Sequence, residues 1–103
     1  MTRSHYRQGD VMLVRVDRVP EGAKEVARRS LVLAEGEVTG HTHRIVDEDA
    51  VMLTTAEAAT FVKLAKKSQL VHEEHATIDI PAGTYRVVRQ REYSPEAIRR
   101  VAD

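Results

Sequence analysis

The stretch Gly9-Asp10-Val11-Met12-Leu13-Val14-Arg15-Val16 decides the fold class. Its β-branched and apolar residues lack the three-and-four spacing of an amphipathic helix, and a run of this length suits a strand. It reads as a strand buried on both faces at its start, with Leu13 in the core. Working outward, the same texture recurs. Leu31-Val32-Leu33, the turn Ala34-Glu35-Gly36 and Glu37-Val38-Thr39 form a hairpin pattern, because glycine accepts the positive φ that tight turns require. After Gly40, His43 to Val46 resumes a strand, Asp47-Glu48-Asp49 turns the chain, and Val51-Met52-Leu53 starts the next strand.

Towards the C-terminus, Ala76-Thr77-Ile78-Asp79-Ile80 alternates, Pro81-Ala82-Gly83 turns, and Thr84 to Arg91 is β-prone, with Val87 expected in the core. These segments predict a second hairpin. Residues 55–68 allow two readings, a helix capped by Thr55 or a strand at Thr60-Phe61-Val62-Lys63-Leu64, and the neighbouring strands favour the strand. Pro20-Glu21-Gly22 breaks the chain, and Ala23 to Arg29 reads as a helical turn or a basic loop. Ser94-Pro95-Glu96 supplies an N-cap, an N1 proline and an acidic first turn, which predicts a terminal helix from Pro95 to Val101. The expected fold is mainly β: one domain over residues 1–103, a small barrel or sandwich of mostly antiparallel strands with a short C-terminal helix.

A chain of 103 residues builds one core, and with Phe61, Tyr6, Tyr85 and Tyr93 as its aromatics that core is mainly aliphatic. There is no cysteine, which excludes disulfides, thiolate catalysis and cysteine-held metals. Apolar runs such as Val11 to Val14 fall far short of the roughly 20 residues of a membrane span, and the start of the chain lacks a signal-peptide pattern. A cytoplasmic location is expected. Net charge is zero but segregated: residues 31–83 carry 4 basic against 9 acidic side chains, and both flanks are basic.

That acidic middle also holds His41, His43, His72 and His75, four of the five histidines. In Gly40-His41-Thr42-His43 two imidazoles two residues apart share one face of a strand, a spacing suited to gripping one ion. In His72-Glu73-Glu74-His75 a strand separates the two imidazoles, whereas a helical turn or bulge brings them together. Candidate metal ligands are therefore His41, His43, His72, His75 and Glu74, a donor set that suits zinc, manganese, nickel or iron, with copper also compatible. His5 lies apart. Two other readings use the same chain. One is metal-independent RNA cleavage by paired imidazoles with Arg86, Arg89 or Arg91, which the adjacent glutamates oppose by repelling a phosphodiester. The other is a non-enzymatic module whose strand edges or basic C-terminal helix dock a larger protein or an RNA-containing assembly.

Gly40-His41-Thr42-His43, followed after four intervening residues by Glu48, resembles the first half of the cupin metal motif, and Pro81-Ala82-Gly83 resembles the start of its second half. The resemblance implies a small β-barrel with His41, His43 and Glu48 as ligands. The place of the cupin's third histidine, however, is filled by Arg86. The chain as a whole, with Arg7-Gln8-Gly9-Asp10, Gly40-His41-Thr42-His43, His72-Glu73-Glu74-His75 and Gln90-Arg91-Glu92-Tyr93, resembles small uncharacterised bacterial and phage proteins, which brings no activity with it.

Overall fold

The alternation of His5-Tyr6-Arg7-Gln8 starts the fold. Tyr6 and Gln8 turn inward and His5 and Arg7 outward, so the segment pairs as a strand although its inward residues are polar-tipped. In the computed structural model, which describes residues 5–26, 31–35, 41–47 and 49–89, the chain forms ten strands and no helix among those residues. They are β1 (His5–Gln8), β2 (Val11–Val16), β3 (Lys24–Glu25), β4 (Leu31–Glu35), β5 (Thr42–Val46), β6 (Val51–Thr54), β7 (Thr60–Leu64), β8 (Ser68–Val71), β9 (Ile78–Ile80) and β10 (Gly83–Arg89).

Every pairing is antiparallel. One sheet runs in the order β1-β2-β10-β7-β6-β3 and the other β4-β5-β8-β9. Both sheets are open, so the barrel alternative is not realised, and they share a single core. Tyr6, Leu13, Val62, Leu64 and Tyr85 from the first sheet meet Ile45, Leu70 and Ile80 from the second. Leu33, Met52, Ile78 and Val87 pack against that cluster. Leu13 is buried as expected, but Val87 is only half-buried. β2 alternates buried and half-buried residues at its start rather than burying both faces fully.

One expected hairpin is rewired. Pro81-Ala82-Gly83 is not a hairpin turn, because β9 pairs with β8 in one sheet while β10 pairs with β2 and β7 in the other. The corner is pinned by Tyr85, whose hydroxyl donates to the Pro81 carbonyl at 2.8 Å and accepts from Arg15 Nη2 at 2.8 Å. The Arg15 guanidinium lies over the Tyr85 ring, 5.0 Å from its centroid. Gly83 has φ +153°, and a Cβ there would run into Arg15 Nη1, so the corner is built for glycine. Tyr85→Phe is expected to lower stability by about 1–3 kcal/mol, because the Pro81 carbonyl and Arg15 each lose a partner. Urea denaturation checks this.

β4 pairs with β5, with a bulge between Val32 and Ala34, so among the described residues its partner is the histidine-bearing strand. The expected strand Glu37-Val38-Thr39 lies outside the described residues, as do Glu48 and the expected helix Pro95–Val101. The Ala23–Arg29 segment contains the short strand β3. Between β6 and β7 Thr55 does not cap a helix. It closes a turn instead: its N–H donates to the Ala59 carbonyl, its carbonyl and hydroxyl accept from the N–H groups of Ala58 and Ala59, and Ala58 sits at φ 65°.

Candidate metal centre at the open end of the two sheets

Three short segments meet at one end of the core. The first is the β1–β2 hairpin, closed by the two-residue loop Gly9-Asp10 between the paired Gln8 and Val11. Gly9, at φ +58°, occupies the first central position, where a type II′ turn demands glycine. A Cβ at Gly9 would lie 2.6 Å from Nε2 of His75, so the glycine also leaves room for that imidazole.

The second segment is β5. His43 and Ile45 share its inward face, which places the His43 ring under the first sheet and buries it to 5 % exposure. Beside it lies Gln8, 2 % exposed. The Gln8 amide nitrogen donates to the carbonyls of Leu70 and Ala76, both at 2.9 Å, and carbonyls only accept. Its Oε1 is therefore the atom facing His43 Nδ1 at 2.9 Å, and Nδ1 must carry the proton. In the neutral ring Nε2 then bears the lone pair, and it faces Asp10 Oδ1 at 3.4 Å. Burial, followed by the neighbouring His72, pushes the His43 pKa down, against the opposing pull of Asp10, which favours that neutral form.

The third segment follows β8. His72 directly follows that strand, and a bend over Glu73 to His75 brings the two imidazoles together at 4.7 Å between ring centroids, so neither a continued strand nor a helix is used. His72 builds the bend itself: its Nδ1 accepts from the backbone N–H groups of Glu74 at 3.0 Å and His75 at 3.3 Å. Glu73 ties the bend to β5. Its two carboxylate oxygens accept from the Thr42 N–H at 2.9 Å and from Arg44 at 2.8 Å. Its own backbone N–H and that of Thr42, with Arg44 adding to them, hold its carboxyl down to about 2.

The result is a cluster of four imidazoles. His43 lies 4.3 Å from His72 and 5.9 Å from His75 between centroids, and His41 lies 5.6 Å from His72. These centroid distances bracket the about 5 Å expected of two imidazoles bound to one tetrahedral ion. His41, His72 and Glu73 each place a donor atom within 4.8 Å of the others, a group that could hold a metal ion. Within that group the Glu73 oxygens are already committed to Thr42 and Arg44. The pair His43 Nε2 and Asp10 Oδ1 fits better: two ligands about 2.1 Å from a tetrahedral ion lie about 3.4 Å apart, and that is their separation here.

Four of the five candidate ligands, His41, His43, His72 and His75, thus converge. Glu74 is exposed and lies 3.6 Å from His41 Nδ1. His5 sits at the far end of β1, opposite Val14. Arg86 pairs with Val14 and Phe61 on the face of its sheet opposite Leu13 and Val87, away from the imidazoles. The sequence alone does not mark Gln8 or Asp10 as site residues, although both lie in the motif Arg7-Gln8-Gly9-Asp10. Their signal was a polar, inward-facing residue before a glycine turn. Gln8→Leu is expected to cost about 1–3 kcal/mol, because it leaves the Leu70 and Ala76 carbonyls and His43 Nδ1 without their partner. The midpoint of a denaturant titration measures it.

Fold and site together define a small domain of two open antiparallel sheets that carries a histidine and carboxylate cluster at one end. The chain belongs to the family Domain of unknown function (DUF8820), whose model matches residues 7–90. That span begins at the Arg7-Gln8-Gly9-Asp10 motif and contains all three segments of the cluster. No curated protein and no solved structure matches the chain significantly. Among the described residues, no helix is long and apolar enough to cross a membrane.

Proposed function

We propose that this domain binds a divalent transition metal at the cluster, with His43 Nε2 as the anchoring ligand and Asp10, His41 and His75 as its partners. The observation that carries the reading is the Gln8–His43–Asp10 arrangement. A buried glutamine fixes the imidazole so that, in the neutral ring, its lone pair faces a carboxylate oxygen at 3.4 Å, and a cation between the two acceptors would satisfy both. An imidazole whose second nitrogen is held by a hydrogen bond is a common partner of a bound metal. Mixed imidazole and carboxylate donors suit zinc, iron, manganese or nickel. His75, Asp10 and Glu74 lie on the exposed side, so solvent reaches an ion held there, and a metal that takes five or six ligands keeps a position for water beside the four protein ligands.

The test is metal analysis of protein purified without a His-tag or chelator, paired with titration calorimetry of the same metals. Stoichiometric binding is expected in the wild type and its loss in the His41→Ala/His43→Ala variant, with the variant still folded. Undiminished metal content in that variant sinks the assignment.

A further inference from the structure

We infer that His72, the imidazole in the middle of the cluster, is not a ligand of the ion but the hydrogen-bond donor to the water or small anion on its open face; the inference rests on the metal reading above. Two backbone N–H groups, those of Glu74 and His75, point at His72 Nδ1. Nδ1 is therefore the acceptor nitrogen, and the neutral ring carries its proton on Nε2. A nitrogen bearing a proton has no lone pair to offer a metal. Ligation through Nε2 would require a proton on Nδ1, directed at two other donors, and ligation through Nδ1 would dismantle the bend that positions His75.

The distal N–H is therefore a donor available to an acceptor at the site. Among the described residues no side chain hydrogen-bonds to His72 Nε2, and the ring is half-buried among His41, His43 and His75 at centroid distances of 5.6, 4.3 and 4.7 Å. An acceptor held on the ion by its neighbours, a hydroxide or the oxygen of a small anion, satisfies this donor. His43 and His72 thus present opposite faces of the same chemistry. Gln8 sets His43 as a lone-pair ring, and the bend backbone sets His72 as a donor ring.

The experiment compares His72→Asn, His72→Gln and His43→Ala with wild type, using cobalt(II) as a spectroscopic metal and azide as the anion probe. Asn keeps an acceptor oxygen near the place of Nδ1 and removes the distal nitrogen, whereas Gln restores an N–H near that distal place. His72→Asn is expected to melt as wild type does and to bind one cobalt with affinity within about threefold. Azide affinity at the cobalt should fall about tenfold or more, the scale for a lost hydrogen bond to a charged group, and recover in part in His72→Gln. Loss of cobalt in His72→Asn to the degree seen in His43→Ala makes His72 a ligand and overturns the inference while leaving the metal reading intact. Full cobalt binding with unchanged azide affinity overturns it as well. A wild-type protein that takes up no cobalt overturns the metal reading, and this inference with it.

Discussion

Zinc, manganese, nickel or iron(II), whichever the site accepts, is expected to raise the melting temperature at pH 7.5 by roughly 10–20 °C when present at a hundredfold excess over its dissociation constant. A ligand that binds only the folded chain adds about 2.7 kcal/mol at that excess, and a domain of this size shifts by about 4–8 °C per kcal/mol. At pH 5.5 the shift should nearly vanish. Ligating imidazoles must be neutral, and protons compete with the metal for them as the pH falls. The metal-free protein follows its own pH dependence. Burial holds the His43 pKa below its unfolded value, so the unfolded chain takes up a proton that the folded one does not. The stability His43 contributes is present above about pH 6.5 and is lost as the pH falls from there through its lower folded value. Glu73, at about 2, stays charged across this range and keeps the bend latched to β5, so melting curves at the two pH values report the imidazoles and not collapse of the frame. Flat curves with every metal at pH 7.5 remove the metal reading.

Leu13→Ala is expected to cost about 2–5 kcal/mol, the range for deleting a buried aliphatic side chain where the surroundings cannot close the cavity. Leu13 is fully buried, sits opposite Tyr6 and Val87 in its sheet, and packs in the cluster that joins both sheets. The neighbours are held by sheet hydrogen bonds on both sides of β2, which limits relaxation into the space left. Domains of this size have about 5–15 kcal/mol in total, so the loss is a large fraction of the whole. Val87→Ala, at a half-buried position on the same face, should cost distinctly less. Guanidinium denaturation of the two variants measures the difference, and near-neutral effects at both positions would show that the inward face of β2 and β10 is misassigned.

Strand texture, the β-rich class and the histidine clustering were legible in the chain because they are local. A β-branched run such as Val11 to Val16 has little choice but to extend, and the favoured strand at Thr60–Leu64 formed as read. His43 sits on the inward face of β5, while His41 lies one residue before that strand. Pairing partners were not legible. Pro81-Ala82-Gly83 has hairpin chemistry, yet the chain uses it to pass from one sheet to the other. Which edge a strand adds to depends on where the rest of the core lies, and no turn sequence encodes that. The same holds for β1 and β8, whose few mixed residues become strands only once neighbours accept their hydrogen bonds.

For the site, the sequence alone established which side chains could take part: four imidazoles in two motifs, carboxylates beside them and no thiol. Tertiary structure decided which of them meet and in what protonation form. Gln8 lies 35 residues from His43 and 62 from Leu70, and only the packing of one sheet over the other brings its amide between them. The proton positions on His43 and His72 follow from hydrogen-bond partners across and along the fold, the amide of Gln8 for one and the backbone of the bend for the other. An imidazole's residue type says that it can bind or donate, and its partners in space say which.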